Sequence, residues 1–258
     1  MIVPAPPAGH GLLTDKVVLV TAAAGTGIGS ATALRCLQEG ARVVISDRHE
    51  RRLAETATTL AEATGEKPLA VLCDVTDEEQ VRRMVADTVE TFGRLDVLVN
   101  NAGLGGSASV LEMTDEQWSR VLDVTLTGTF RCTRAALQVM AGQRSGVIVN
   151  NASVIGWRAQ EGQAHYAAAK AGVMALTRCA AIEAAESGIR VNAVAPSLAM
   201  HPFLAKVTTD ELLEELAARE AFGRPADVWE IATVIAFLAS DYSTYMTGEV
   251  VSVSSQHP

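Results

Sequence analysis

Cysteine is scarce. Cys36, Cys73, Cys132 and Cys179 are the only four, with neither the density of a disulfide scaffold nor the spacing of a metal site. They read as buried free thiols, and no metal is expected. No apolar run reaches the roughly 18 residues needed to span a bilayer. The amino-terminal stretch Met1-Ile2-Val3-Pro4-Ala5-Pro6-Pro7-Ala8-Gly9 has no basic region and is broken by prolines, so it reads as neither signal peptide nor anchor. A membrane is not an expected partner, and the cytoplasm is the expected compartment. Positive charge is in deficit, 21 Lys and Arg against 30 Asp and Glu for a net charge of -9, with no basic stripe. That balance argues against binding a nucleic-acid backbone. Internal repeats, heptad arrays and low-complexity tracts are also missing.

What is there suffices for a full core. At 258 residues and 48% hydrophobic content the chain fits one large α/β domain, preceded by an extended arm over residues 1–15. The run Lys16 to Thr21 is short and β-branched, as in a strand buried on both faces. It leads into Ala22-Ala23-Ala24-Gly25-Thr26-Gly27-Ile28-Gly29 and then a helical pattern closed by Gly40. Strand, glycine-rich turn and helix bring backbone N–H groups and a helix amino terminus to one point, which suits a pyrophosphate held around Gly25, Gly27, Ile28 and Gly29. The next strand, Arg42 to Ser46, ends at Asp47, about 20 residues past the glycines, where an acid binds an adenosine ribose and repels a 2'-phosphate. NAD is favoured over NADP on that ground. Arg48 is the residue that speaks for NADP, or is simply a solvated charge opening the helix from His49 to Ala63.

βα alternation continues. A strand from Leu69 to Cys73 ends in Asp74-Val75, where Asp74 has the choice of an adenine contact or a turn role. Asp77 caps a helix to Phe92. A strand from Leu95 to Val99 ends in Asn100-Asn101-Ala102-Gly103, polar residues that close a cofactor crevice or satisfy turn backbone. One long helical region covers Asp115 to Met140. A strand from Val147 to Val149 precedes Ser153, another from Ile189 to Val194 stops at Pro196, a helix spans Asp227 to Ser240, and Glu249 to Val253 is the last strand. The segment from Ser197 to Arg224 carries Leu212, Leu213 and Leu216 on one face of a short helix and reads equally as a substrate lid or as a packed surface helix.

Between these strands lies His165-Tyr166-Ala167-Ala168-Ala169-Lys170. Residues four apart share a helix face, so the Tyr166 hydroxyl and the Lys170 ammonium point into the same space. A nearby fixed cation favours the phenolate, which predicts a lowered tyrosine pKa and a general acid or base for an alcohol or ketone. Ser153, at a strand end, is placed to hold the same oxygen.

Taken together and in order, the glycine turn, Asp74-Val75, Asn100-Asn101-Ala102-Gly103, Ser153, Tyr166-x-x-x-Lys170, Asn192-Ala193-Val194-Ala195-Pro196 and Thr247-Gly248-Glu249 resemble the short-chain dehydrogenase/reductase family from about Lys16 to Val253. The resemblance implies a single-domain Rossmann fold, a doubly wound sheet of seven parallel strands with helices on both faces, and a homotetramer. Tyr166 would exchange the proton, Ser153 orient the carbonyl, and Lys170 bind the nicotinamide ribose. Asn101, Ala102, Gly103 and Pro196 would line the cofactor.

The sequence departs from the family pattern in four places: Ala22 replaces the usual first glycine, Thr125 the usual asparagine of the relay helix, Ser197 and His201 the residues usual after Pro196, and Ser254-Ser255 a terminal glycine pair. The glycine turn, the run Asn150-Asn151-Ala152-Ser153-Val154-Ile155-Gly156-Trp157-Arg158 and the ending Gln256-His257-Pro258 are similar to actinobacterial reductases of steroid-ring catabolism. That similarity implies a bicyclic indane-type carboxyl-CoA thioester as substrate, with Arg158 either contacting a CoA phosphate or lying on the surface. Two other readings compete, an NADPH-dependent 3-oxoacyl-thioester reductase and a nucleotide-binding protein without turnover, the latter resting on Thr125 alone.

Overall fold

The computed structural model describes residues 4–200 and 210–255. Seven parallel strands form one sheet in the order β3-β2-β1-β4-β5-β6-β9. They are β1 (Val17–Val20), β2 (Arg42–Asp47), β3 (Leu69–Leu72), β4 (Val97–Asn100), β5 (Gly146–Asn151), β6 (Ile189–Pro196) and β9 (Val250–Val253). Successive side chains of a strand point to opposite faces, and both faces are apolar here. Val18 and Val20 of β1 join Val43, Ile45, Val97 and Val99 against α1 (Ile28–Gln38), α2 (Glu50–Thr64) and α8 (Val228–Ala239), while Leu19 joins Val44, Leu98 and Ile148 against α3 (Glu78–Phe92), α5 (Gly128–Gln143) and α6 (Ala164–Ala184). A three-layer, doubly wound domain follows, because strands apolar on both sides need helices on both sides.

The crossovers run outward in opposite directions from β1 and β4, so a crevice opens at the carboxyl ends of those two strands. Every residue singled out at a strand end therefore gathers along one rim.

Two readings need correction, and one gains a detail. The helical region from Asp115 is continuous but carries a π turn. α4 (Asp115–Leu122) passes into a π turn over Asp123–Thr127 before α5 begins at Gly128, where a Cβ would meet Val75 Cγ2 at 2.7 Å. Cys36, Cys73 and Cys132 are buried, but Cys179 is exposed on α6 because it falls on the outward face of that helix. Arg158 is partly buried, not a surface residue, since the 3-10 turn Val154–Gly156 folds it back, with its N–H on the Val154 carbonyl at 3.0 Å.

The arm is docked. Buried Arg35, paired with buried Glu39 one turn on, donates to the Pro7 and Ala8 carbonyls, and Glu39 accepts from the His10 and Leu12 N–H groups. Near the other end, the short ladder of β7 (Ala199–Met200) with β8 (Ala226–Asp227) flanks a segment carrying α7 (Asp210–Arg219). Leu213 is buried and Leu216 partly buried, whereas His201 and the side chain of Leu212 lie outside the described residues. Ser255 donates to buried Glu220 at 2.8 Å and Ala221 N–H to the Ser255 carbonyl at 3.3 Å, so the serine that departs from the glycine pattern ties the end of that segment to the carboxyl terminus.

Candidate active site

The rim is assembled from strand ends and two helices. β5 delivers Ser153, whose hydroxyl accepts from the Ile155 N–H at 3.2 Å and caps the turn that follows. α6 delivers Tyr166 and Lys170 on one face, with the Lys170 Nζ 5.5 Å from the centre of the Tyr166 ring. Ser153 and Tyr166 join through their side-chain hydroxyls. Tyr166 thus touches Ser153 through its hydroxyl and Lys170 across its ring.

Their electrostatics differ from the expectation of a lowered tyrosine pKa. Burial around the hydroxyl pushes the Tyr166 phenol up to about 12, and the Ser153 hydrogen bond pulls the other way without reversing it. Burial also pushes the Lys170 ammonium down, to about 8. The reason is that losing water penalises the phenolate and the ammonium alike. Lys170 is 3% exposed, and its Nζ donates to the Asn151 carbonyl at 2.6 Å. The Tyr166 phenol thus keeps its proton at neutral pH.

The cofactor side is built on the turn after β1. α1 starts at Ile28 with Gly27 as its cap, no side chain occupies the orphan N–H groups of its first turn, and that turn holds no acid. Positions where Gly25 and Gly27 would carry a Cβ are open, and Gly25 has φ +91°. An uncapped helix amino terminus with open space above it fits a pyrophosphate. Gly29 is needed for the opposite reason, since its Cβ would lie 2.5 Å from both the Ala22 carbonyl oxygen and the Asn101 Nδ2. The Asp47 carboxylate closes the turn from β2, accepting from the Ala24 N–H at 3.3 Å and the His49 N–H at 3.0 Å. Arg48 beside it is exposed.

Asn101 and Ala102 donate their N–H groups to the Thr21 hydroxyl at 3.0 and 3.2 Å, binding the loop after β4 to the end of β1. Gly103 lets the same loop pass over the lysine, with 3.4 Å from its Cβ position to Lys170 Nζ. Asp74 performs a turn role through Oδ1, which accepts from the Thr76 N–H and hydroxyl at 3.0 and 2.8 Å, and Val75 is buried beneath Gly128. Pro196 ends β6, buried and paired with Val253.

Thr125, fully buried in the π turn, spends its hydroxyl on Leu104. Sequence reasoning missed Thr21 and Asn151 as site residues. A signal for the second exists: the doublet Asn100-Asn101 recurs as Asn150-Asn151, and β4 and β5 pair in parallel with Asn100 beside Asn150.

The arrangement matches known proteins along most of its length. The family model described as Enoyl-(Acyl carrier protein) reductase matches residues 22–255. A (5R,7aS)-5-hydroxy-7a-methyl-1-oxo-2,3,5,6,7,7a-hexahydro-1H-indene-carboxyl-CoA reductase from Mycobacterium tuberculosis is 66% identical, over 97% of this chain and 96% of its own. A 3-oxoacyl-acyl-carrier-protein reductase from Thermotoga maritima is 42% identical, over 93% of this chain and 97% of its own. Among solved structures, a short chain dehydrogenase from Mycobacterium smegmatis superposes with a TM-score of 0.88 at 62% identity, covering 99% of this chain and 98% of that one.

Proposed function

Because the chain belongs to the short-chain dehydrogenase/reductase family and is an oxidoreductase, we propose that it interconverts a ring hydroxyl and a ring ketone on a bicyclic, indane-type CoA thioester, with NAD as hydride carrier. One observation carries the chemistry: the Ser153 hydroxyl sits on the Tyr166 hydroxyl, beside a buried Lys170. Ser153 orients the substrate oxygen and Tyr166 holds the proton that this oxygen gains in reduction or loses in oxidation. Lys170, anchored on the Asn151 carbonyl, supplies fixed positive charge and binds the nicotinamide ribose. The nicotinamide supplies or accepts the hydride. Gly25, Gly27, Ile28 and Gly29 would hold the pyrophosphate, Asp47 the adenosine ribose, Asp74 (through Oδ2, since Oδ1 closes its turn) and Val75 the adenine edge, and Asn101, Ala102, Gly103 and Pro196 the nicotinamide half. The substrate assignment is supported by the 66% identity to the indene-carboxyl-CoA reductase.

The Asp47 carboxylate against the glycine turn favours NAD, because a 2'-phosphate would meet its charge. Exposed Arg48 and the 42% relative favour a second reading, an NADPH-dependent 3-oxoacyl-thioester reductase. Exposed Phe130 on α5 and Ile182 on α6 support self-association, which we assign as a homotetramer, and a cytoplasmic location goes with the reading. No helix among the described residues is long and apolar enough to cross a membrane. The segment from Ser197 to Arg224, described outside residues 201–209, is read either as the substrate lid or as a packed surface helix, the latter supported by buried Leu213.

Steady-state turnover with NAD and NADP decides among these readings, on a panel of hydroxy-indane CoA esters, hydroxyacyl-CoA esters and free steroids. Selective NAD-linked turnover of the ring-hydroxyl thioester is expected. Preference for 3-oxoacyl thioesters with NADPH would overturn it in favour of the second reading, and NAD binding without turnover of any panel member would favour a non-catalytic protein.

A further inference from the structure

Outside the three catalytic side chains, the densest polar construction on the rim is a relay of two amides. Asn151 Nδ2 donates to Asn101 Oδ1 at 2.9 Å, and Asn101 Nδ2 donates to the Ala22 carbonyl at 3.0 Å. Its direction is fixed at the far end. A backbone carbonyl only accepts, so Asn101 must turn its nitrogen to Ala22 and its oxygen to Asn151, which must then offer a nitrogen. Asn151 Oδ1 is left buried without a donor. An amide that tolerates this is held by its other contacts.

Both ends of the relay matter to the site. Ala22 has φ +49°, the left-handed region that an L side chain occupies only at a cost, and the Asn101 amide grips its carbonyl. α1 then starts against the same two groups, as the close approach of Gly29 to the Ala22 oxygen and Asn101 Nδ2 requires. At the near end, the main-chain carbonyl of Asn151 accepts the Lys170 ammonium at 2.6 Å. Asn151 therefore has its main chain on the catalytic lysine and its side chain, through Asn101, on the strained first residue of the cofactor turn.

We propose that Asn151 is a positioning residue that locks Lys170 and the glycine-rich turn into one body. Without its Nδ2 donor, Oδ1 of partly buried Asn101 loses its partner, the Asn101 amide is free to rotate, and the left-handed Ala22 turn loosens. The cofactor's pyrophosphate seat and the ribose-binding lysine then lose their common reference. The inference deepens the proposed function and rests on its nicotinamide site.

Asn151→Val, Asn101→Ala and the double variant test it in the full-length protein. Two readouts are needed: the NADH dissociation constant from nicotinamide fluorescence, and hydrogen exchange of the peptide covering residues 21–29 without cofactor. Each single variant is expected to weaken NADH by about five- to tenfold, the worth of one hydrogen bond, and to speed exchange at 21–29. The double variant should be no worse than either single, because both cut the same relay. Asn151→Asp adds a pH signature. A protonated carboxyl donates to Asn101 Oδ1 and an ionised one cannot, and the buried, donor-free position of Asn151 Oδ1 raises that carboxyl above its ordinary value of about 3.9, so its NADH affinity should recover towards the wild-type value as pH falls from about 7 towards about 4.5. This variant also decides the matter if Asn151→Val fails to fold. Wild-type exchange and affinity in Asn151→Val, strictly additive losses in the double variant, or an Asn151→Asp affinity that ignores pH would each overturn the proposal. A wild-type protein that does not bind NADH would instead remove the cofactor reading, while exchange at 21–29 still decides whether the tie exists.

Discussion

Thr125 and Leu104 exchange two hydrogen bonds through one hydroxyl: the Leu104 N–H donates to Thr125 Oγ1 at 3.0 Å, and Oγ1 donates to the Leu104 carbonyl at 3.3 Å. The π turn over Asp123–Thr127 is thereby stapled to the loop that passes Lys170 at Gly103. The hydroxyl is occupied by structure, which is a different use of this position from a side chain turned to the proton path.

Thr125→Val keeps the shape and removes both bonds. Leaving the N–H and C=O of partly buried Leu104 without Oγ1 costs up to about 1–3 kcal/mol, so the urea midpoint should fall accordingly, while Thr125→Ser stays close to wild type. Equal midpoints for the valine variant and the wild type would remove the staple from the account.

Tyr166→Phe deletes the proton-bearing oxygen and little else. Loss of a positioned general acid typically costs about 10²–10⁴ in rate. Turnover should drop by that factor while NADH fluorescence titrates as in the wild type. An unchanged rate would take the proton transfer away from Tyr166.

Lys170 and Tyr166 impose opposite pH dependences on stability. Lys170 sits at about 8, below its ordinary 10.5, so between those values the unfolded chain binds the proton more tightly and stability rises with pH. Tyr166 sits at about 12, above its ordinary 10.0, so above pH 10 the folded chain binds the proton more tightly and stability falls. Unfolding free energies from urea titrations at pH 7, 8 and 9 should rise by up to about 1 kcal/mol over the last step. Lys170→Met should flatten that rise. A slope that survives the substitution would mean Lys170 is not desolvated.

Tyr166 also predicts the catalytic pH profile. With the phenol at about 12, the protonated form dominates throughout the neutral range. Ketone reduction should change little with pH between about 6 and 8, and alcohol oxidation should climb with pH. A plateau of the oxidation rate below pH 7 would show that another group carries the proton.

Asp47→Ala removes the carboxylate that accepts from the Ala24 N–H, the charge proposed to meet the adenosine ribose, and leaves exposed Arg48 beside it. The ratio of kcat/KM for NAD to that for NADP should fall by about tenfold or more. An unaltered ratio would place Asp47 outside the cofactor site.

Much of this site was legible because parallel sheets impose an order that sequence can carry. Strands buried on both faces are written as apolar runs such as Val17–Val20 and Val97–Val99, and a doubly wound sheet gathers whatever follows each strand along one rim. Asp47, Asn101 and Ser153 could thus be placed from position alone, and Tyr166 and Lys170 from helical spacing. The doublets Asn100-Asn101 and Asn150-Asn151 were equally visible, but their meaning needed the register that sets the two strands side by side.

Tertiary structure decided what depends on surroundings more than on neighbours in the chain. Asp115 to Gln143 has helical character throughout, yet a π turn interrupts it, because slipping from i+4 to i+5 bonding leaves no mark in composition and is settled by Thr125 on Leu104 and Gly128 against Val75. Cys179 is exposed and Arg158 partly buried for the same kind of reason, the face and fold-back of their elements. Lys170 near Tyr166 was legible, whereas the direction of the tyrosine's pKa was not: spacing specifies which charge is near, and only the packed environment sets how much water each group has lost.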